Sequence, residues 1–98
     1  MQIEITESSK GENGFYVQAS CNKVTAFVAI HTWGVQVCCQ NSAHKVWRGA
    51  GKFFKNAAEA LDNYRSGEMK AIINAAVDFS QQSPAQITHR GWVNAEAA

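Results

Sequence analysis

Proline occurs once in this chain, acidic residues are missing from its whole middle, and no apolar run exceeds the five residues from Ala26 to Ile30. A helix that spans a bilayer needs about 20 consecutive apolar residues, so a transmembrane class is excluded. Cysteine is scarce too: three thiols, an odd number, do not make a disulfide scaffold. The start, Met1-Gln2-Ile3-Glu4, carries neither the basic nor the apolar region of a secretory signal. The expectation is a cytoplasmic protein with free thiols and no membrane partner. Charge is also low, 17% of residues against 46% hydrophobic, which excludes a disordered chain. The 98 residues hold one modest core and no second fold, so catalysis across a domain cleft is out for a monomer.

What is present first is alternation. Ile3 and Ile5 share one face of a short strand, and the polar stretch that follows ends in Asn13-Gly14, a strong hairpin signal. A second strand runs from about Phe15 to Cys21, with Phe15, Val17, Ala19 and Cys21 toward the core. Asn22-Lys23 suits a two-residue turn into a third strand, from Val24 to about Trp33. Its Val24, Ala26, Val28 and Ile30 face inward, and Thr25, Phe27, Ala29, His31 and Trp33 face outward. Gly34 permits a bend into a fourth strand, Val35 to Gln40, placing Val35, Val37 and Cys39 inward and Cys38 outward. A short fifth strand is expected at His44 to Arg48.

The period then changes from 2 to 3.6 residues. Asn56 followed by Glu59 fits a capping box, so a helix is predicted from about Ala57 with Ala57, Ala60, Leu61 and Tyr64 as its buried stripe. Ser66-Gly67 interrupts it. A second helix is predicted from about Glu68 to Ser80, packing Met69, Ile72, Ile73, Ala76 and Phe79. The predicted fold is α+β: a four- or five-stranded antiparallel meander, then two C-terminal helices on one face. Residues 1–82 form a single domain in this scheme, and 83–98 a tail that is loosely ordered or docked through Trp92.

The net charge of +1 conceals an asymmetry. All eight acids lie at positions up to 12 or from 59 onward, whereas Lys23, Lys45, Arg48, Lys52 and Lys55 fall between. Four of those cations lie within the segment 45–55, interleaved with Trp47, Phe53 and Phe54 around Gly49-Ala50-Gly51. Cations neutralise phosphates and aromatic rings stack on bases, so segment 44–55 is a candidate surface for RNA or DNA, or for a protein. The same aromatics also suit the core of a strand-to-helix corner with solvated lysines around it. The expected binding residues are Lys45, Trp47, Arg48, Lys52, Phe53 and Lys55, with Phe27, His31 and Trp33 from the outward face of the third strand. An apolar patch there needs a cover: the tail, a second copy of the chain, or a target.

Other chemistries fit poorly. Gly-Ala-Gly-Lys ending at Lys52 lacks the first glycine of a phosphate-binding loop, and Phe53 stands where a magnesium-binding Ser or Thr belongs. Cys38 and Cys39 are adjacent and alternate in direction along a strand, so they do not converge on one metal ion. A cysteine nucleophile at Cys38 with His31 or His44 across strands would have no carboxylate nearby to orient the base. No catalytic residue, metal or cofactor is expected.

Two local patterns resemble known families. From Trp47 through Leu61 the chain is similar to the last strand and helix of double-stranded RNA binding domains, which implies RNA as a partner. The stretch Glu12 to Val17, taken with Ala58 to Leu61, looks like the sheet-and-helix pattern of HicB-type antitoxins. Each covers under half of the chain, and neither assigns a role to a residue. The general build is that of small phage and mobile-element accessory proteins, including anti-CRISPR proteins. The expectation is therefore a non-enzymatic protein that inhibits a larger bacterial defence nucleoprotein complex by stoichiometric binding. The alternatives are a nucleic-acid binding protein using residues 44–55 and, as a third class, a cysteine-dependent enzyme.

Overall fold

The computed structural model describes residues 2–10, 14–41, 46–47, 51–81 and 91–94. Four long strands come first: β1 (Gln2–Lys10), β2 (Gly14–Cys21), β3 (Val24–His31) and β4 (Gly34–Asn41). Short strands β5 (Val46–Trp47) and β6 (Lys52–Phe54) follow, then helices α1 (Ala57–Asn63) and α2 (Gly67–Ser80), and last β7 (Gly91–Asn94). All pairings are antiparallel, in the order β5-β4-β3-β2-β1-β7, with β6 also on β4. The expected α+β meander with two helices after it is what the chain forms, β5 and β6 making its fifth strand in two pieces along one edge of β4.

Two additions to the expected strand list stand out. The stretch Lys52–Phe54, whose aromatics also suit a strand-to-helix corner, pairs with Val35–Val37 of β4. Gly91–Asn94, within a segment without apolar periodicity, adds an edge strand to β1, with Trp92 opposite Glu4. Backbone pairing against an existing edge requires no alternation, so periodicity does not reveal such a strand. The remainder of the 83–98 tail, and the turn expected at Asn13, lie outside the described residues.

The core lies on one side of the sheet, under α2. Ile3, Ile5, Phe15, Val17, Ala19, Cys21, Ala26, Val28, Val35 and Val37 are buried there against Met69, Ala71, Ile72, Ile73, Ala75 and Ala76. Fully burying a side chain such as Ile72 stabilises by about 1.5–3 kcal/mol, which is what holds a 14-residue helix down. In β1, strict alternation after Ile3 and Ile5 would align Glu7 with the core. A register shift between Ile5 and Glu7 instead sets Ser8 opposite the buried Val17, and Ser8 is buried. The Thr6 hydroxyl donates to the Gln18 carbonyl at this irregularity, at 3.1 Å.

Helix starts follow the sequence signals. The Asn56 side chain accepts from the Glu59 N–H at 2.9 Å, as an N-cap does. At α2 the Ser66 hydroxyl oxygen accepts from the Met69 N–H at 3.2 Å. Asn22, in the β2–β3 turn, has φ +56, the left-handed conformation that asparagine tolerates best among residues with a side chain.

Candidate functional site

On the face away from the helices, alternation brings together Tyr16 and Gln18 of β2, Phe27, Ala29 and His31 of β3, Gln36 and Cys38 of β4, and Phe53 of β6. The middle of this face is less bare than alternation alone predicts. Ala29 and Cys38 are buried, and Phe27 is half-buried with its ring stacked on Tyr16, centroids 5.1 Å apart and planes 29° from parallel. Cys38, expected to point into the open, is only 6% exposed.

The exposed aromatic surface concentrates instead at the β3–β4 turn. The strand β3 ends at His31, two residues short of the expected Trp33, because His31 pairs with Gly34 and leaves Thr32 and Trp33 as the turn. Trp33 is 58% exposed and Phe53 56%. The Trp33 ring lies on His31, centroids 4.5 Å apart and planes within 11°, and meets Phe53 at 5.7 Å with a 40° tilt. Gly34 makes this juxtaposition possible. A β-carbon on it, at φ +155, would collide with the Phe54 carbonyl oxygen, so glycine lets β6 close on the turn and carry Phe53 beside Trp33.

The cations of the basic segment are arranged differently. Lys52 and Lys55 are exposed. Lys52 stands opposite core-facing Val37, on the helix side of the sheet, while its neighbour Phe53 stands opposite Gln36 on the outer side. Lys55 follows β6 and lines a cleft of about 280 Å³ together with His31. The backbone of Trp47 pairs with Gln40 in β5, whereas Lys45 and Arg48 lie outside the described residues. Gly51 is required for packing: at φ +80, its missing side chain leaves room for the Val37 carbonyl. That accounts for one glycine of the Gly49-Ala50-Gly51 run without an anion.

The thiols sit in two settings. Cys39 packs against the core, and its Sγ–H donates to Met69 Sδ at 3.8 Å. Tyr64, at the C-terminal end of α1, packs edge-on to Phe54, and burial, then the nearby Cys39, push its phenol up to about 12. Burial, and secondarily Glu68, push the Cys21 thiol up as well, away from a reactive thiolate. Among the described residues no three His, Cys, Asp or Glu side chains gather as metal ligands. No described helix is long and apolar enough to cross a membrane.

Sequence reasoning grouped Phe27, His31 and Trp33 on one outward face and set Phe53 in the basic segment, without signalling that Phe53 joins His31 and Trp33 in one cluster. It missed Tyr16 as the cover of Phe27, and the cleft residues Ile30, Asn56 and Val77, which come from three distant stretches. No family model, curated protein or solved structure matches the chain.

Proposed function

We propose that this chain is a non-enzymatic binding protein that docks on a larger bacterial protein or nucleoprotein complex through Trp33, His31 and Phe53. A defence nuclease complex, blocked by stoichiometric occupation in the manner of an anti-CRISPR protein, is the target its small single-domain build suits. The observation that carries the docking surface is the pair of aromatic rings, each more than half exposed, brought together from the β3–β4 turn and β6. Exposed aromatics held in place by neighbours bind at little entropic cost and dominate protein interfaces when buried by a partner.

A nucleic-acid partner is the alternative, and the geometry favours it less. One face of Trp33 is already covered by His31, which leaves less of the ring for a base to stack on. Lys52 also stands on the opposite side of the sheet from Phe53, so charge and stacking surfaces do not coincide there.

Affinity capture from a bacterial lysate, with and without nuclease, tests both. The proposal expects one partner to be retained after nuclease treatment and lost with Trp33→Ala, since truncating an interface anchor costs about 2 kcal/mol or more. Capture that disappears with nuclease selects the nucleic-acid alternative.

A further inference from the structure

The cleft at the Trp33 end of the sheet is not explained by the fold. It lies where the β3–β4 turn, the start of α1 and the end of α2 meet, and its volume is about 280 Å³. Ile30, Val35, Ala57 and Val77 supply apolar walls, while Lys55 and His31 also line it. That volume is small for a cofactor and suits one or two side chains. No described residue that lines it is an acid. No acid occurs between positions 13 and 58, so neither β3, β4, β6 nor the loop into α1 contributes a carboxylate. Glu59 in the first turn of α1 and Asp78 of α2 are exposed and do not line the cleft. Among the described residues Lys55 has no ion-pair partner.

We propose that this cleft receives an acidic segment of the protein partner, a carboxylate meeting Lys55 while an adjoining apolar side chain seats against Ile30, Val35 and Val77. This rests on the docking of Trp33 and Phe53 proposed above and names the chemistry of what they meet. A cation lining a cleft with apolar walls and, among the described residues, no lining carboxylate is complementary to an anion carried on an apolar body. Residues 82–90 hold no acid and end in His89-Arg90, so their sequence offers no carboxylate for Lys55. Nucleic acid also supplies an anion, with flat bases to stack rather than an aliphatic or aromatic side chain to seat in the cleft.

The probe is a short acidic peptide with one central phenylalanine, Ac-EEFEE-NH2, titrated into the isotope-labelled full chain and followed by NMR, with a short oligo-thymidylate as the comparison. Saturable shifts at Ile30 to Val35 and Lys55 to Ala57, weakened on the order of tenfold by Lys55→Glu and little changed by Lys52→Glu, are expected. Lys55 is exposed, and an acid ahead of a helix start is favourable, so Lys55→Glu folds. No shifts at the cleft, equal shifts with oligo-thymidylate, or unchanged affinity in Lys55→Glu would overturn the proposal. The capture experiment separates the two claims. Capture lost with Trp33→Ala but intact with Lys55→Glu removes the cleft and leaves the aromatic surface standing; capture intact with Trp33→Ala removes the aromatic surface and, with it, the cleft as its companion.

Discussion

The side-chain amide of Asn22, in the β2–β3 turn, donates to Glu68 Oε1 at 3.1 Å, joining residues 46 positions apart. Glu68 Oε2 accepts from the Ser66 hydroxyl at 3.0 Å, so one carboxylate ties a hairpin turn to the first turn of α2. Its own backbone N–H, then Asn22 and Ser66, hold the Glu68 carboxyl below the usual carboxylate range.

A lowered folded-state value means that the unfolded chain binds the proton more readily. This stabilisation is present above the ordinary carboxylate range and is lost as pH falls through the lowered value. Urea denaturation between pH 7 and pH 3 should show a slope that shrinks in Glu68→Gln. Asn22→Gly keeps the turn's positive φ and removes the amide, and should shrink the same slope. An unchanged acid slope in both variants would assign the acid response to other carboxylates.

Trp33→Ala should leave stability nearly unchanged, within about 1 kcal/mol, because the ring is 58% exposed. Its effect belongs to binding. A loss of 3 kcal/mol or more, the typical cost of truncating a core aromatic, would place Trp33 in the packing and take away the docking surface. Thermal melting together with capture distinguishes the two.

Cys38→Ser and Cys39→Ser should each lower stability, by about 1–2 kcal/mol where the new hydroxyl goes unpaired, since Cys38 is buried and Cys39 packs on Met69. Neither should affect capture. Loss of capture in Cys38→Ser at unchanged melting temperature would bring back the nucleophile.

The Tyr64 phenol, raised to about 12 by burial and Cys39, carries the opposite sign from Glu68. Its contribution is complete below pH 10, the ordinary tyrosine value, and is lost as pH rises toward 12. Denaturation at alkaline pH should therefore be less steep in pH for Tyr64→Phe than for the wild type.

Deleting the residues after Gln81 removes β7 and opens the β1 edge from Gln2 to Ile5. Unpaired edge N–H and C=O groups recruit other strands, so the truncated chain should self-associate in sedimentation. A truncated chain that stays monomeric would show that β7 does not protect this edge.

The sequence by itself determined the meander, the turns at Asn22-Lys23, both helix starts and the core stripe of Met69, Ile72, Ile73 and Ala76, because each rests on local periodicity or capping within a few residues. It also determined that the middle of the chain carries no acid, a property that folding cannot alter. Tertiary structure decided the rest. The register shift in β1 that brings Ser8 opposite Val17, the addition of β7 and the burial of Cys38 depend on which backbone lies alongside which. Trp33 and Phe53 are 20 residues apart, and their contact exists because β6 pairs with β4 and Gly34 leaves room for the Phe54 carbonyl. Lys52 and Phe53, adjacent in the chain and read as one basic-aromatic surface, are directed to opposite sides of the sheet because a strand alternates. A linear pattern records which residues a chain offers; pairing register and close backbone approach settle which of them share a surface.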